Sequence, residues 1–73
     1  MSLRFDRSAT KRLRRERGLT VKELARAARL SDVGVGLIER GAVDPKASTL
    51  AKLAMALGVT VDAFFIRKDT KAA

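Results

Sequence analysis

Apolar residues recur three and four positions apart along most of this chain, and the stretches in which they do so are cut at Gly18, at Leu30-Ser31, between Gly41 and Pro45, and at Gly58. That spacing places successive apolar side chains on one face of an α-helix. No alternating strand pattern or hairpin dipeptide competes with it, so the pattern predicts an all-α fold, a compact bundle of five short helices. The first spans about Ser8 to Arg17, turns Leu13 inward and stops at Gly18, a residue suited to the left-handed helix end. The second starts after Thr20. Thr20 and Glu23 stand at the T-x-x-E spacing in which each side chain bonds the other's backbone N–H. Leu24, Ala25 and Ala28 form its buried stripe, and Leu19 staples its entry. The third runs from Asp32 to about Arg40, with Ser31 as its cap, Val35 and Ile38 inward and Gly41 as its stop. The fourth begins at Pro45 or Ser48, carries Leu50, Leu53, Ala54 and Leu57, and ends at Gly58. Thr60 caps the last, Val61 to about Ile66. That helix holds Phe64 and Phe65, two neighbours that cannot both face one small core. Residues 1–7 read as a basic arm and 67–73 as a polar tail, flanking a single domain with its core at about 8–66.

Composition narrows the chemistry. A chain of 73 residues supports one domain. It has no cysteine and no histidine. That removes thiol nucleophiles, the usual general base and the commonest metal ligands. No acidic cluster is spaced for a hard cation. The expectation is a protein that is not an enzyme and takes no metal or cofactor. The net charge is +8, and residues 1–30 hold ten Lys and Arg against three acids. A surface of that kind attracts a polyanion. The longest apolar run, Ala54 to Leu57, is far too short to span a membrane, and the first residues lack an apolar leader. A cytoplasmic location is expected.

The informative stretch is Thr20 to Gly41, two helices of about nine residues joined by a three-residue turn. So short a turn makes the helices cross steeply, which lets the second project into a DNA major groove while the first lies over the backbone. Here the sequence resembles the Cro/lambda-repressor-like (XRE) family. The resemblance is carried by Leu19-Thr20-Val21-Lys22-Glu23-Leu24-Ala25, by Ile38-Glu39-Arg40-Gly41, by Pro45, and by Thr49-Leu50, Leu53-Ala54, Leu57-Gly58-Val59-Thr60-Val61-Asp62 and Phe65. It covers about residues 10–66 and implies a five-helix fold, double-stranded DNA as partner and a homodimer on a two-fold operator.

The resemblance also implies roles for single residues. Asp32, Val33, Gly36 and Leu37 fall at the groove-facing positions. They lack the Arg, Lys, Gln and Asn that read bases bidentately. Gly34 and Gly36 each weaken the third helix by about 1 kcal/mol relative to alanine. Arg12, Arg15, Val21, Lys22, Arg26, Arg29 and Lys46 are the phosphate candidates. Val21 stands where the family often has Gln, so only the helix N-terminus can act there. Arg29 stands where the family often has Gly; a positive φ there would strain it. Arg14 and Glu39 match a structural pair that ties the first helix to the end of the third. Arg4 and Arg7 could form an arm that reaches a groove. Val59, Val61, Phe64 and Phe65 concentrate apolar surface near the C-terminal end and are the dimer-interface candidates. No small-molecule effector or membrane role is evident, since the basic first helix lacks a broad aromatic face. The alternative function is a helix-turn-helix-derived protein-binding module, of antitoxin or anti-activator type, with weak or no operator specificity.

Overall fold

The computed structural model describes residues 3–67. Its elements are strand β1 (Leu3–Phe5), helices α1 (Ala9–Glu16), α2 (Val21–Ala28), α3 (Asp32–Glu39) and α4 (Ala47–Leu57), a 3₁₀ turn (Val61–Phe64) and strand β2 (Phe65–Arg67). Two expectations are corrected. There are four α-helices, and the fifth shrinks to the 3₁₀ turn. The residues read as a basic arm include a strand that pairs with β2, so Leu3–Phe5 is ordered structure and the fold is mostly helical with a small two-stranded sheet. Arg67, placed in the tail, closes β2; residues 68–73 lie outside the described residues.

The helices form where their ends are satisfied. At α2 the Thr20 Oγ1 accepts the Glu23 N–H at 3.0 Å, and Glu23 Oε1 accepts the Thr20 N–H at 2.8 Å, the predicted reciprocal cap. Ser31 caps α3 by accepting the Gly34 N–H at 2.9 Å. A Cβ on Gly34 would stand 2.9 Å from that same oxygen. The cap therefore explains the glycine. α4 begins at Ala47, between the two predicted starts, with Lys46 at the cap position. At α1 the capping carboxylate comes from further back. Asp6 Oδ1 accepts the Ser8 N–H at 3.0 Å and the Ser8 hydroxyl at 2.7 Å. The hydroxyl bond, the backbone bond and nearby Arg12 outweigh burial and hold the Asp6 carboxyl below its ordinary range.

All four helices close in the same way. The residue after the helix, or one further on, takes left-handed backbone, and its successor's N–H reaches back five residues. Leu19 N–H donates to Arg14 O at 3.1 Å, Leu30 to Ala25 at 2.8 Å, Ala42 to Leu37 at 3.0 Å and Val59 to Ala54 at 3.0 Å. Three of the left-handed residues are Gly18, Gly41 and Gly58; the fourth is Arg29, at φ 58°. Its Cβ crowds its own backbone there, a cost of roughly 1–2 kcal/mol for an L-residue.

The core is assembled from all four helices and the 3₁₀ turn. Leu24, Val35, Leu53, Leu57 and Phe64 are among its fully buried side chains, with Leu13, Ile38 and Leu50 beside them. Phe64 is therefore corrected from interface candidate to core residue, because no part of its surface is left for a partner. Phe65 is half-buried and packs edge to face on Phe5, ring centres 6.1 Å apart. This contact, the β1–β2 register and the Asp6 N–H···Phe64 O bond of 2.7 Å fasten the two ends of the fold together.

Two arginines brace the helices. The Arg14 Nε and Nη2 donate to Glu39 at 2.7 and 3.1 Å, and its Nη1 donates to Leu19 O at 2.8 Å. Bonding to Glu39 raises the Arg14 pKa against the opposing pull of burial. Arg17 Nε donates to Leu57 O at 2.7 Å, closing α4 from the end of α1.

Two stability outcomes follow from these contacts. Arg29→Gly should raise the thermal midpoint by the equivalent of about 1 kcal/mol, because relief of strain exceeds the added chain entropy of glycine. A lower midpoint would show that the Arg29 side chain is itself stabilising. The Arg14 and Glu39 side chains are only 12% and 7% exposed. Loss of one partner from such a pair costs about 3–5 kcal/mol, a large part of a small domain's stability. Glu39→Ala should therefore denature at much lower urea than the parent; coincident curves would refute the bracing role.

Candidate nucleic-acid interface

The site is built on α2, the turn at Arg29-Leu30-Ser31 and α3. Leu24, Ala25 and Ala28 anchor α2 in the core, and Val35 and Ile38 anchor α3. Fixing those faces decides what is left outside. On α3, Asp32 and Val33 are exposed, Val33 at 71%, while Gly36 and Leu37 one turn later are half-buried. The four positions share one side of the helix, as residues spaced by three and four must. A Cβ on Gly36 would meet only the tip of Arg40, at an ordinary 3.7 Å. Nothing inside the protomer requires glycine there, in contrast to Gly34.

The basic candidates fall into separate groups. Lys46 lines a surface hollow of about 310 Å³ with Leu30, Ser31, Gly34 and Pro45, which sets it beside the start of α3. Lys22 and Arg26 stand one turn apart on α2 and line another hollow with Thr20 and Glu23. Arg29 is exposed at the turn. Arg12 and Arg15 lie on α1 around a depression that includes Glu39, near the far end of α3. Arg12 also reaches Asp6 at 3.6 Å. Val21 packs its side chain against the core, so that it has only its backbone N–H to offer. Arg7 stands 3.4 Å from Asp44 in the loop after α3, and Arg4 lies in β1, so neither is a free arm.

The interface candidates divide as well. Val59 is half-buried against the core and Val61 is 39% exposed. The sequence reading passed over Leu3 and Ile66, exposed at 65% and 42% on the two strands. The alternation Leu3-Arg4-Phe5 was the available signal, but three residues are too few to distinguish a strand from a tail. Among the described residues no helix is long and apolar enough to cross a membrane, and no cluster of acidic residues is arranged for a metal ion.

Known proteins share this architecture. Residues 11–64 match the HTH_3 helix-turn-helix family. The HTH-type transcriptional regulator DdrOP3 of Deinococcus deserti is 45% identical over 49 residues, which cover 67% of this chain and 38% of that protein. The chain thus matches well under half of that relative's length. The restriction-modification controller protein C.AhdI from Aeromonas hydrophila superposes with a TM-score of 0.78 at 30% identity, over 81% of this chain and 89% of that one. The clp gene regulator ClgR from Corynebacterium glutamicum superposes with a TM-score of 0.73 at 34% identity, over 78% of this chain and 75% of that one. With α2 and α3 joined by a capped three-residue turn and the family match running from within α1 through the 3₁₀ turn, this chain belongs to the HTH_3 family of helix-turn-helix domains, the Cro/repressor (XRE) type.

Proposed function

We propose that this protein is a DNA-binding regulator of transcription that occupies a two-fold operator as a homodimer. The observation that carries the reading is α3. Its anchored face leaves Asp32, Val33, Gly36 and Leu37 together on the other side, with Lys46 beside its start and open backbone at Gly36. A helix presented this way fits a major groove, and a side chain of a single hydrogen at Gly36 lets it seat close to the base edges. Lys22, Arg26 and Lys46, with the N-terminus of α2, supply phosphate contacts that position α3. The net charge of +8 gives the complex its affinity. Val33 and Leu37 offer methyl groups to thymine, and Asp32 can accept from cytosine N4. With no bidentate reader in the set, discrimination rests on methyl contacts and on DNA shape.

Selection of bound sequences from a random DNA pool at physiological salt tests this directly. A sharp palindromic motif is expected. Enrichment without a motif would move the reading to the protein-binding module.

Binding should also be steeply ionic. A dimer that neutralises about six to ten phosphates gives log K a slope near −0.9 per contact against log salt. A flat dependence would exclude DNA as the partner.

Readout by Val33 has its own signature. Replacing thymine by uracil, which deletes only the methyl, should weaken binding at one or two operator positions, each at or below the low end of the usual 1–3 kcal/mol per base pair. Val33→Ala should abolish that difference at its own position. Equal affinity for uracil and thymine operators throughout would refute methyl readout.

A further inference from the structure

We propose that the outer edge of β2 is the dimer seam, where two copies of this chain join their two-stranded sheets into one of four strands, with Ile66 facing its own counterpart across the two-fold axis. The inference rests on the homodimer reading above and gives it a surface.

The phase of the β1–β2 ladder decides which groups are free. Opposed residues in an antiparallel pair alternate between those that exchange backbone bonds and those that do not. The Asp6 N–H···Phe64 O bond marks one bonded position. Counting along the register, Arg4 and Ile66 form the next, and Leu3, Phe5, Phe65 and Arg67 turn their backbone groups outward. On β2 the Phe65 N–H is taken by Asp62 O. By that phase the Phe65 carbonyl and both backbone groups of Arg67 point away from β1, toward the outer edge of the sheet. An edge of this kind is a template for another strand.

A two-fold axis through Ile66 makes this edge complementary to itself. The Arg67 N–H of each copy meets the Phe65 carbonyl of the other. The two Ile66 side chains meet as an apolar pair on one face. On the opposite face each copy's Arg67 crosses to the other's Phe65, beside a hollow of about 370 Å³ that Asp62 also lines, so a guanidinium arrives next to a carboxylate and an aromatic ring. The edge of β1 is the poorer choice. An axis through Arg4 would oppose two guanidinium groups directly, which is destabilising. The apolar surface agrees with the β2 edge: of six exposed large hydrophobic residues among those described, Leu3, Val61 and Ile66 belong to the strands and the turn that leads into them.

The absence of cysteine makes the test specific. Ile66→Cys sets two thiols at a non-hydrogen-bonded pair, about 4.5 Å between Cα atoms, within disulfide reach. Under mild oxidation this variant should form a covalent dimer at least about tenfold faster than Met55→Cys, an exposed control away from the seam. Arg67→Pro removes the bridging N–H, which the protomer itself does not use, and proline is tolerated on an edge strand. It should shift the sedimentation dimer constant at least about tenfold toward monomer with an unchanged helical spectrum. Equal crosslinking of the two cysteine variants, or an unchanged dimer constant in folded Arg67→Pro, overturns the seam. Neither measurement uses DNA. An Ile66→Cys dimer that forms but binds no operator would sink the regulator reading and leave the seam standing; operator binding by a dimer that fails to crosslink would do the reverse.

Discussion

One guanidinium holds the frame of the helix-turn-helix. Arg14 reaches the last residue of α3 through two bonds to Glu39 and the chain entering α2 through a third bond to Leu19 O. Its fork therefore fixes α1 to both helices of the motif at once. A lysine could not make this set, because its single ammonium lacks the planar spread of donors. The pair is nearly buried, and its desolvation is offset because both charged groups are hydrogen-bonded, Arg14 through three bonds and Glu39 through both carboxylate oxygens. The attitude of α3 toward solvent follows from this contact together with the packing of Val35 and Ile38. The surface proposed to meet DNA is thus set by residues that never touch it.

The helices were legible because their ends are written in side chains. The Thr20 and Glu23 spacing, Ser31, and the glycines at 18, 41 and 58 each correspond to a hydrogen bond or a left-handed residue in the fold. The resemblance to the family likewise placed Arg14 opposite Glu39. The start of α4 was not legible, since Pro45 and Ser48 both suit a helix start and the chain begins it between them, without a side-chain cap. The strands were missed for a physical reason. Each is three residues long and stabilised mainly by its distant partner, and local patterning cannot show such a partner. Adjacency allowed only one of Phe64 and Phe65 into the core, yet which one depended on how the 3₁₀ turn delivers the chain to β2. On the candidate interface, burial alone separated Val21, which packs inward, from Lys22 and Arg26.

The two glycines of α3 carry different meanings. Gly34 makes room for the hydroxyl that caps its own helix, so its cost in helix propensity is offset locally. Gly36 has no such use within the protomer. A helix of eight residues with two glycines has little intrinsic stability. It holds its shape because Val35 and Ile38 are packed and both ends are closed. The motif thus joins a firmly seated inner face to an outer face of minimal bulk.

The pairing of Leu3–Phe5 with Phe65–Arg67 changes the order in which the molecule can come together. The helical contacts link segments that are close in the chain, and such contacts form early because little loop entropy is lost in making them. The sheet joins the two ends, which stay far apart until the helices between them have collapsed. It is therefore the last element to assemble and the first to open, and its opening releases both ends together. Amide protons in the ribbon should then exchange through a local opening that leaves the four helices closed, so that the pole carrying the strands is a separate cooperative unit from the helix-turn-helix motif.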